Sequence, residues 1–383
     1  MEMRIVEVRF ARRTVALCVG YVVIIFAALL SAQAMSQIVL GRITALSGPA
    51  GAKGTEQEAA LVAYFDDVNK RGGINGRQVV LKTVDEGDAK KVGEIARRLN
   101  EVDRVFAYFM IGGTPGSEIV INYATPLGIP VIAPNSGANA FHEPVNSLVF
   151  NVRAKYQDEI VAGIRHFATL AQQNIAIVHV DDAFGRDALA GFTRGLKTFD
   201  SKAVFIGSFN SGKADAARHV PALLAANPDA VICVGASKIV ADLIRTARRA
   251  GSRTTFMTLS NNSSSGFVKE LGEYARGVIV SQVTPPPKVL TTKLSIELNQ
   301  LLAKRKDSQL SYAAMDAYAS AKVLVQGLRG AGRNLTRESF VRALEAMSKY
   351  DLGGMEVGYG LNDRTGSTYV ELSMIGRDGN FVR

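Results

Sequence analysis

From Gln37 onward the chain alternates short runs of aliphatic and β-branched residues with stretches whose apolar positions recur every three or four residues. "IVLGRI" (38–43), "QVVLKTV" (78–84), "VFAYFMI" (105–111) and "IPVIA" (129–133) predict strands, because a strand covered on both faces reads as a continuous apolar run. Between them, Thr55 with Glu58 predicts a capping box opening a helix whose buried face carries Leu61, Tyr64, Phe65 and Val68. Val92, Ile95, Ala96 and Leu99 mark the next helix, and "GGINGR" (72–77) is a turn. The rhythm restarts near Gln173. "IAIVHV" (175–180), "AVFIGS" (203–208), "AVICVG" (230–235), "TTFMTL" (254–259) and "GVIVSQV" (277–283) predict strands, separated by helical faces such as Leu189, Phe192 and Leu196 or Ile239, Leu243 and Ala247.

Two such series imply two doubly wound α/β lobes, each with a parallel sheet of four or five strands. Pro285, Pro286 and Pro287 interrupt the second series. The helical patterns 290–304, 312–328 and 337–347 then read as a return to the first lobe, followed by strands in "GMEVGY" (354–359), "TYVELSMI" (368–375) and around Phe381. A chain that crosses between lobes several times makes a hinge.

The first 34 residues follow a different pattern. Arg4, Arg9, Arg12 and Arg13 precede a nearly unbroken apolar run from Thr14 to Leu30, and Ala32-Gln33-Ala34 places small residues at alternate positions. This order predicts a secretory signal peptide over residues 1–34 and delivery to the periplasm. A membrane anchor is the alternative, since the run is at the lower edge of what can span a bilayer, but the small-x-small site that follows at once favours cleavage. Cys18 lies inside the run, which leaves Cys233 as the only cysteine of the mature chain and excludes an intrachain disulfide.

The net charge of +10 drops to +8 once the leader's four Arg, Glu2 and Glu7 are removed. Basic residues do not cluster beyond Lys304-Arg305-Lys306, and aromatics are not interleaved with them, so nucleic acid is not an expected partner. Catalytic constellations are likewise not expected. "GSFNSGKA" (207–214) resembles a phosphate-binding loop but has Ala214 where the magnesium-binding hydroxyl is required. His142, His166, His179 and His219 lack metal-ligand spacing, and Cys233 sits in an apolar strand, so neither a metal nor a cofactor is predicted.

The polar clusters fall instead after strands: "SGPAGAKGT" (47–55), "GGTPGS" (112–117), "PNSGAN" (134–139), "DDAFGRD" (181–187), "GASK" (235–238) and "SNNSSSG" (260–266). In open α/β sheets ligands bind outside the carboxyl ends of the strands. Clusters from both lobes would therefore line one cleft with hydroxyls, amides and backbone N–H groups, suited to a small polar ligand.

Together with "DVNKRGGINGRQVVL", "LGIPVIAPNSGA" and "NPDAVICVGA", these segments resemble the periplasmic binding proteins of branched-chain amino acid ABC transporters, from about Gln37 to the C-terminus. The resemblance implies the type I fold, two flavodoxin-like lobes joined by three crossovers near 151–156, 280–286 and 355–359. The N-terminal lobe would comprise 35–154 plus 284–356, and the C-terminal lobe 155–283 plus 357–383. It implies capture of a small ligand in the interlobe cleft and delivery to inner-membrane permease subunits, with a ligand-sensing receptor as the alternative. By the same resemblance Thr114 grips a ligand carboxylate, with Gly113 beside it. Asn135, Ser136 and Gly137 supply backbone N–H and hydroxyl groups, Phe184 closes over the ligand, and Ser47, Ser237 and Ser260 complete the contacts. Two positions depart from the family's pattern: Lys53 stands where an aromatic caps the ligand, and Ser260 where a carboxylate meets its ammonium. An amino acid would then lack an anionic partner unless Asp181 or Asp182 reaches in, so a carboxylate without an amino group, aromatic or otherwise, fits Lys53, Thr114 and Phe184.

Overall fold

The computed structural model describes residues 37–383 except 88, 211–214 and 306–308. The predicted leader and the last four residues of the phosphate-loop look-alike therefore lie outside the described residues. The first sheet is built from β1 (Gln37–Thr44), β2 (Gln78–Asp85), β3 (Ala107–Phe109), β4 (Val131–Ile132) and β5 (Val149–Phe150), all parallel, in the order β2-β1-β3-β4-β5. That is the flavodoxin-like order, with its topological switch between β1 and β3. The helices α1 (Gly51–Lys70), α2 (Val92–Glu101) and α3 (Thr114–Ala124) connect these strands.

The second sheet repeats the plan with β6 (Asn174–Val180), β7 (Lys202–Phe209), β8 (Ala230–Val234), β9 (Thr255–Thr258) and β10 (Ile279–Gln282), and two antiparallel strands, β14 (Glu371–Ile375) and β15 (Phe381–Val382), extend one edge. Its helices are α4 (Tyr156–Thr169), α5 (Ala183–Thr198), α6 (Val220–Ala225), α7 (Ser237–Arg249) and α8 (Ser265–Leu271). The sheet has seven strands where four or five are expected, because the C-terminal hairpin adds to the edge strand β10.

Three late helices, α9 (Lys293–Leu302), α10 (Tyr312–Gly330) and α11 (Arg337–Glu345), return to the first sheet. The alanines of α10 let it lie close against α1, where Tyr64 and Tyr318 meet edge to face at 5.1 Å. Thr55 does not cap a helix, because α1 already begins at Gly51; its hydroxyl bonds back to the carbonyls of Gly51 and Ala52.

A small sheet of β11 (Tyr350–Asp351), β12 (Glu356–Gly360) and β13 (Asp363–Gly366) corrects the lobe boundary expected at residue 357. Val357 and Tyr359 are buried in the first lobe's core. The Tyr359 ring stands edge-on to Phe150 at 5.2 Å, and its hydroxyl donates to the Asn151 carbonyl. Arg364 stacks over Phe150 and accepts the Asn151 N–H through its carbonyl. The chain thus stays with the first lobe through Gly366, and the final crossing runs over 367–370 rather than 355–359.

His142 packs under this last crossing, with Nδ1 3.3 Å from the Thr365 hydroxyl and Nε2 buried without a partner. Burial, reinforced by the positive charges of Lys155 and Arg153 and only partly opposed by Asp363, pushes its pKa down to about 3. The folded state therefore holds a neutral imidazole that the unfolded chain protonates below about 6.5. Stability is complete above that pH and falls as pH drops from about 6.5 toward 3. Going from about pH 7 to about pH 5 is expected to cost ~2 kcal/mol through this group. Urea unfolding of His142→Gln should show that much less loss than the parent over the same interval; equal losses would contradict the assignment.

Candidate functional site: a buried charge cluster between the lobes

The carboxyl ends of β1, β3 and β4 face those of β6, β8 and β9 across the cleft. Gly112 lets α3 start close to β1, since a Cβ there would lie 2.7 Å from the Thr44 hydroxyl. Gly113, at φ +65°, turns the chain into the helix. Thr114 is thereby buried with its hydroxyl 2.8 Å from that of Ser136 in the loop after β4. Ser136 also accepts the Ala138 N–H. Two hydroxyls carry two hydrogens, and their mutual bond uses one, so the pair retains a donor for a ligand acceptor.

At the first crossing, Arg153 is 2 % exposed. Its Nη2 donates to Glu159 and to the Ser260 hydroxyl (2.7 Å), and its guanidinium lies 4.3 Å from the Tyr156 ring centre. Glu159 is fully buried and accepts from the Ser260 N–H (2.9 Å), the Ser260 hydroxyl (3.0 Å) and the Ser281 hydroxyl (2.5 Å). Arg153 Nη1 is buried and has no hydrogen-bond partner. Tyr156 in turn packs on Phe184, ring centres 4.5 Å apart.

Lys53, in the first turn of α1, has its Nζ 3.5 Å from Asp316 of α10 and 3.4 Å from the Ser260 carbonyl. Burial lowers the Lys53 pKa, an effect opposed by Asp316. Gln57 ties the cluster to the first lobe: it donates to Asp316 (3.2 Å) and accepts from Asn135 (2.9 Å) and from the buried Arg42 (3.2 Å). Arg42 pairs at 2.6 Å with Glu58, which also accepts from Thr83. Three cations, Arg42, Lys53 and Arg153, thus face three carboxylates, Glu58, Asp316 and Glu159.

Thr114, Asn135, Ser136, Phe184, Ser260 and Lys53 therefore meet at one place, but several in roles other than those predicted. Ser47 is exposed and donates to Asp85. Gly137 offers its carbonyl to the Tyr156 N–H, and a Cβ there would strike the Ala154 carbonyl at 2.6 Å; the close approach of loop and crossover explains the missing hydroxyl. The Asn135 N–H is taken by the Ile111 carbonyl, and Ser237 is spent on Asn262. Neither Asp181 nor Asp182 reaches in: the first is exposed beside Arg186, the second caps α5 through the Gly185 N–H. Two acids not anticipated from the sequence are present instead: Glu159 bonds to Ser260, and Asp316 meets Lys53. They and Arg153 carry no motif of their own; for the two acids the signal was an ionisable residue inside an otherwise apolar helical face, and for Arg153, on the crossover before Tyr156, there was none.

A family model for periplasmic binding proteins matches residues 37–380. The chain belongs to this family. The Leu/Ile/Val-binding protein of Escherichia coli K12 is 24% identical over 318 residues, 82% of this chain and 84% of that one. Among solved structures of periplasmic binding proteins, one from Ralstonia solanacearum, titled a substrate-binding periplasmic protein, superposes with TM-score 0.84 at 29% identity, covering 90% of this chain and 99% of the other. A possible leucine/isoleucine/valine-binding protein from Rhodopirellula baltica gives 0.85 at 25%, covering 91% and 96%.

The rims of the two lobes touch. Glu56 of α1 accepts from the hydroxyl and N–H of Ser265 and from the Gly266 N–H (3.2 Å) of α8, while the Asn139 N–H donates to Asp187 of α5 at 3.1 Å. Gly266 is required here, since its Cβ would fall 2.2 Å from that of Ala52. Gly266→Ala is expected to weaken the best ligand of a carboxylate panel roughly tenfold, about 1.4 kcal/mol, with the melting temperature of the free protein unchanged. Adding Ala52→Gly should restore affinity; calorimetric titration showing no loss in the single variant would refute the contact's role in closure.

Proposed function

We propose that this protein is the exported ligand-capturing subunit of an ABC importer, secreted by residues 1–34 into the periplasm and presenting its closed form to permease subunits in the inner membrane. The cargo is a small carboxylate-bearing molecule, amino-acid-like in size. One observation carries this reading: a cation buried where the two lobes meet, Arg153, keeps an N–H donor on Nη1 that no protein atom accepts. Buried donors are nearly always paired, and a guanidinium donor is best paired by a carboxylate. The spare hydrogen of the Thr114–Ser136 pair is a second donor for the same anion, and the Tyr156 and Phe184 rings form an apolar wall beside it. Family membership and the likeness to the Leu/Ile/Val-binding protein support transport.

Thermal-shift screening of residues 35–383 against aliphatic, aromatic and amino-substituted carboxylates tests the proposal. A true ligand at about one hundred times its Kd should stabilise by ~2.7 kcal/mol. Thr114→Val, which keeps shape but removes the donor, should weaken that ligand roughly tenfold, and Arg153→Lys more, since lysine cannot serve Glu159, Ser260 and a ligand in one plane. Unaltered affinity in both variants, or stabilisation only by ligands without an anionic group, would overturn it.

A further inference from the structure

The two acids of the charge cluster, Glu159 and Asp316, are both spoken for. Glu159 receives Arg153 and three further hydrogen bonds from Ser260 and Ser281. Asp316 receives Lys53 at 3.5 Å and Gln57 at 3.2 Å. Lys53 Nζ in addition donates to the Ser260 carbonyl at 3.4 Å. A carboxylate and a carbonyl oxygen in a buried pocket are the partners a ligand's ammonium would require, and a side chain of the protein already fills that role.

We propose that Lys53 is the site's tethered ammonium: by neutralising Asp316 inside the cleft it selects ligands that carry a carboxylate and no amino group. This rests on the capture of a carboxylate on Arg153 put forward above. An amino acid could engage Asp316 only by displacing Lys53, which would leave a second buried cation without an anion, beside the positive charge of Arg153. Two amide oxygens near the cluster lack a partner, Asn135 Oδ1 and Asn261 Oδ1; both are uncharged and can receive a hydroxyl or amide donor but cannot offset an ammonium, while the Asp187 carboxylate, with Oδ2 unpartnered, is engaged at the rim by Asn139 and Gln157 rather than at Lys53. On the donor side Arg153 Nη1 and the Thr114–Ser136 pair stay available. Surplus donors, with no unclaimed anion among the residues that meet Ser260 and Lys53, define a pocket for an organic acid. Lys53 is also held in place by its helix: Gly54, next to it, packs so tightly on the Ala45 carbonyl that a Cβ would lie 1.9 Å away.

The test uses acids paired with their amino counterparts on the same carbon skeleton: isocaproate against leucine, and hydrocinnamate against phenylalanine, titrated calorimetrically into residues 35–383. The parent protein should prefer the acid in at least one pair by about tenfold or more. Lys53→Met frees Asp316 and should shift that preference toward the amino acid by at least about tenfold, whereas Lys53→Arg should keep the parent's preference. Lys53→Met combined with Asp316→Asn should abolish the gain for the amino acid while leaving the cleft electrically balanced, which separates selectivity from misfolding. A parent protein that prefers the amino acids, or an unchanged ratio in Lys53→Met, overturns the role of Lys53 alone. Absence of binding by every carboxylate to the parent protein removes the capture reading, and this inference with it.

Discussion

A guanidinium buried between two lobes has to be neutralised, and the pairing of Arg153 with Glu159 meets that demand. The arginine sits on the first crossing of the chain, the glutamate on the first helix of the second lobe, and Ser260 bonds to both. Removing one member of a buried pair costs about 3–5 kcal/mol, because the other is left as an isolated charge. The crossing is therefore pinned to the second lobe at one point, and the guanidinium is held in a fixed orientation. Phe184, Tyr156 and the Gly137 loop pack around that fixed group, and Lys53 approaches the same serine from the first lobe.

Charge balance then decides what the cleft can hold. Each cation in the cluster has an internal carboxylate, and the Gln57 amide links the Arg42–Glu58 pair to Asp316, so the polar network runs from the floor of the first lobe to the interlobe space. Such networks are stable only when their members are satisfied. The exceptions within this network are Arg153 Nη1, Asn135 Oδ1 and Arg42 Nε; the first two belong to the first crossing and to the loop after β4, and the third is on β1 within the first lobe.

Most of the fold was legible from local pattern. Runs such as 175–180 and 230–235 became strands covered on both faces, and the loops after them fell at the cleft because strand order places them there. What failed depended on distant contacts. Val357 and Tyr359 look like the start of a second-lobe strand until Phe150 and Asn151, some two hundred residues earlier, are seen to bury them. Thr55 and Glu58 match a capping box in spacing, but Glu58 is drawn to Arg42 and Thr83 instead. Asp316 escaped notice for the same reason: within an alanine-rich helix nothing local says that its carboxylate meets Lys53. The resemblance pointed to the loops after the strands, whereas Arg153, Glu159 and Asp316, the ionic partners around Ser260 and Lys53, come from outside those loops.

In the proposed complex the charge cluster at Arg153 receives the ligand's anion while Lys53 stays with Asp316. A crystal structure of residues 35–383 with the most stabilising carboxylate addresses it directly. The account predicts the ligand carboxylate on Arg153 Nη1 and the Thr114–Ser136 hydroxyls, with the Lys53–Asp316 pair intact. A ligand whose carboxylate lies away from Arg153, or whose binding pulls Lys53 off Asp316, would contradict it.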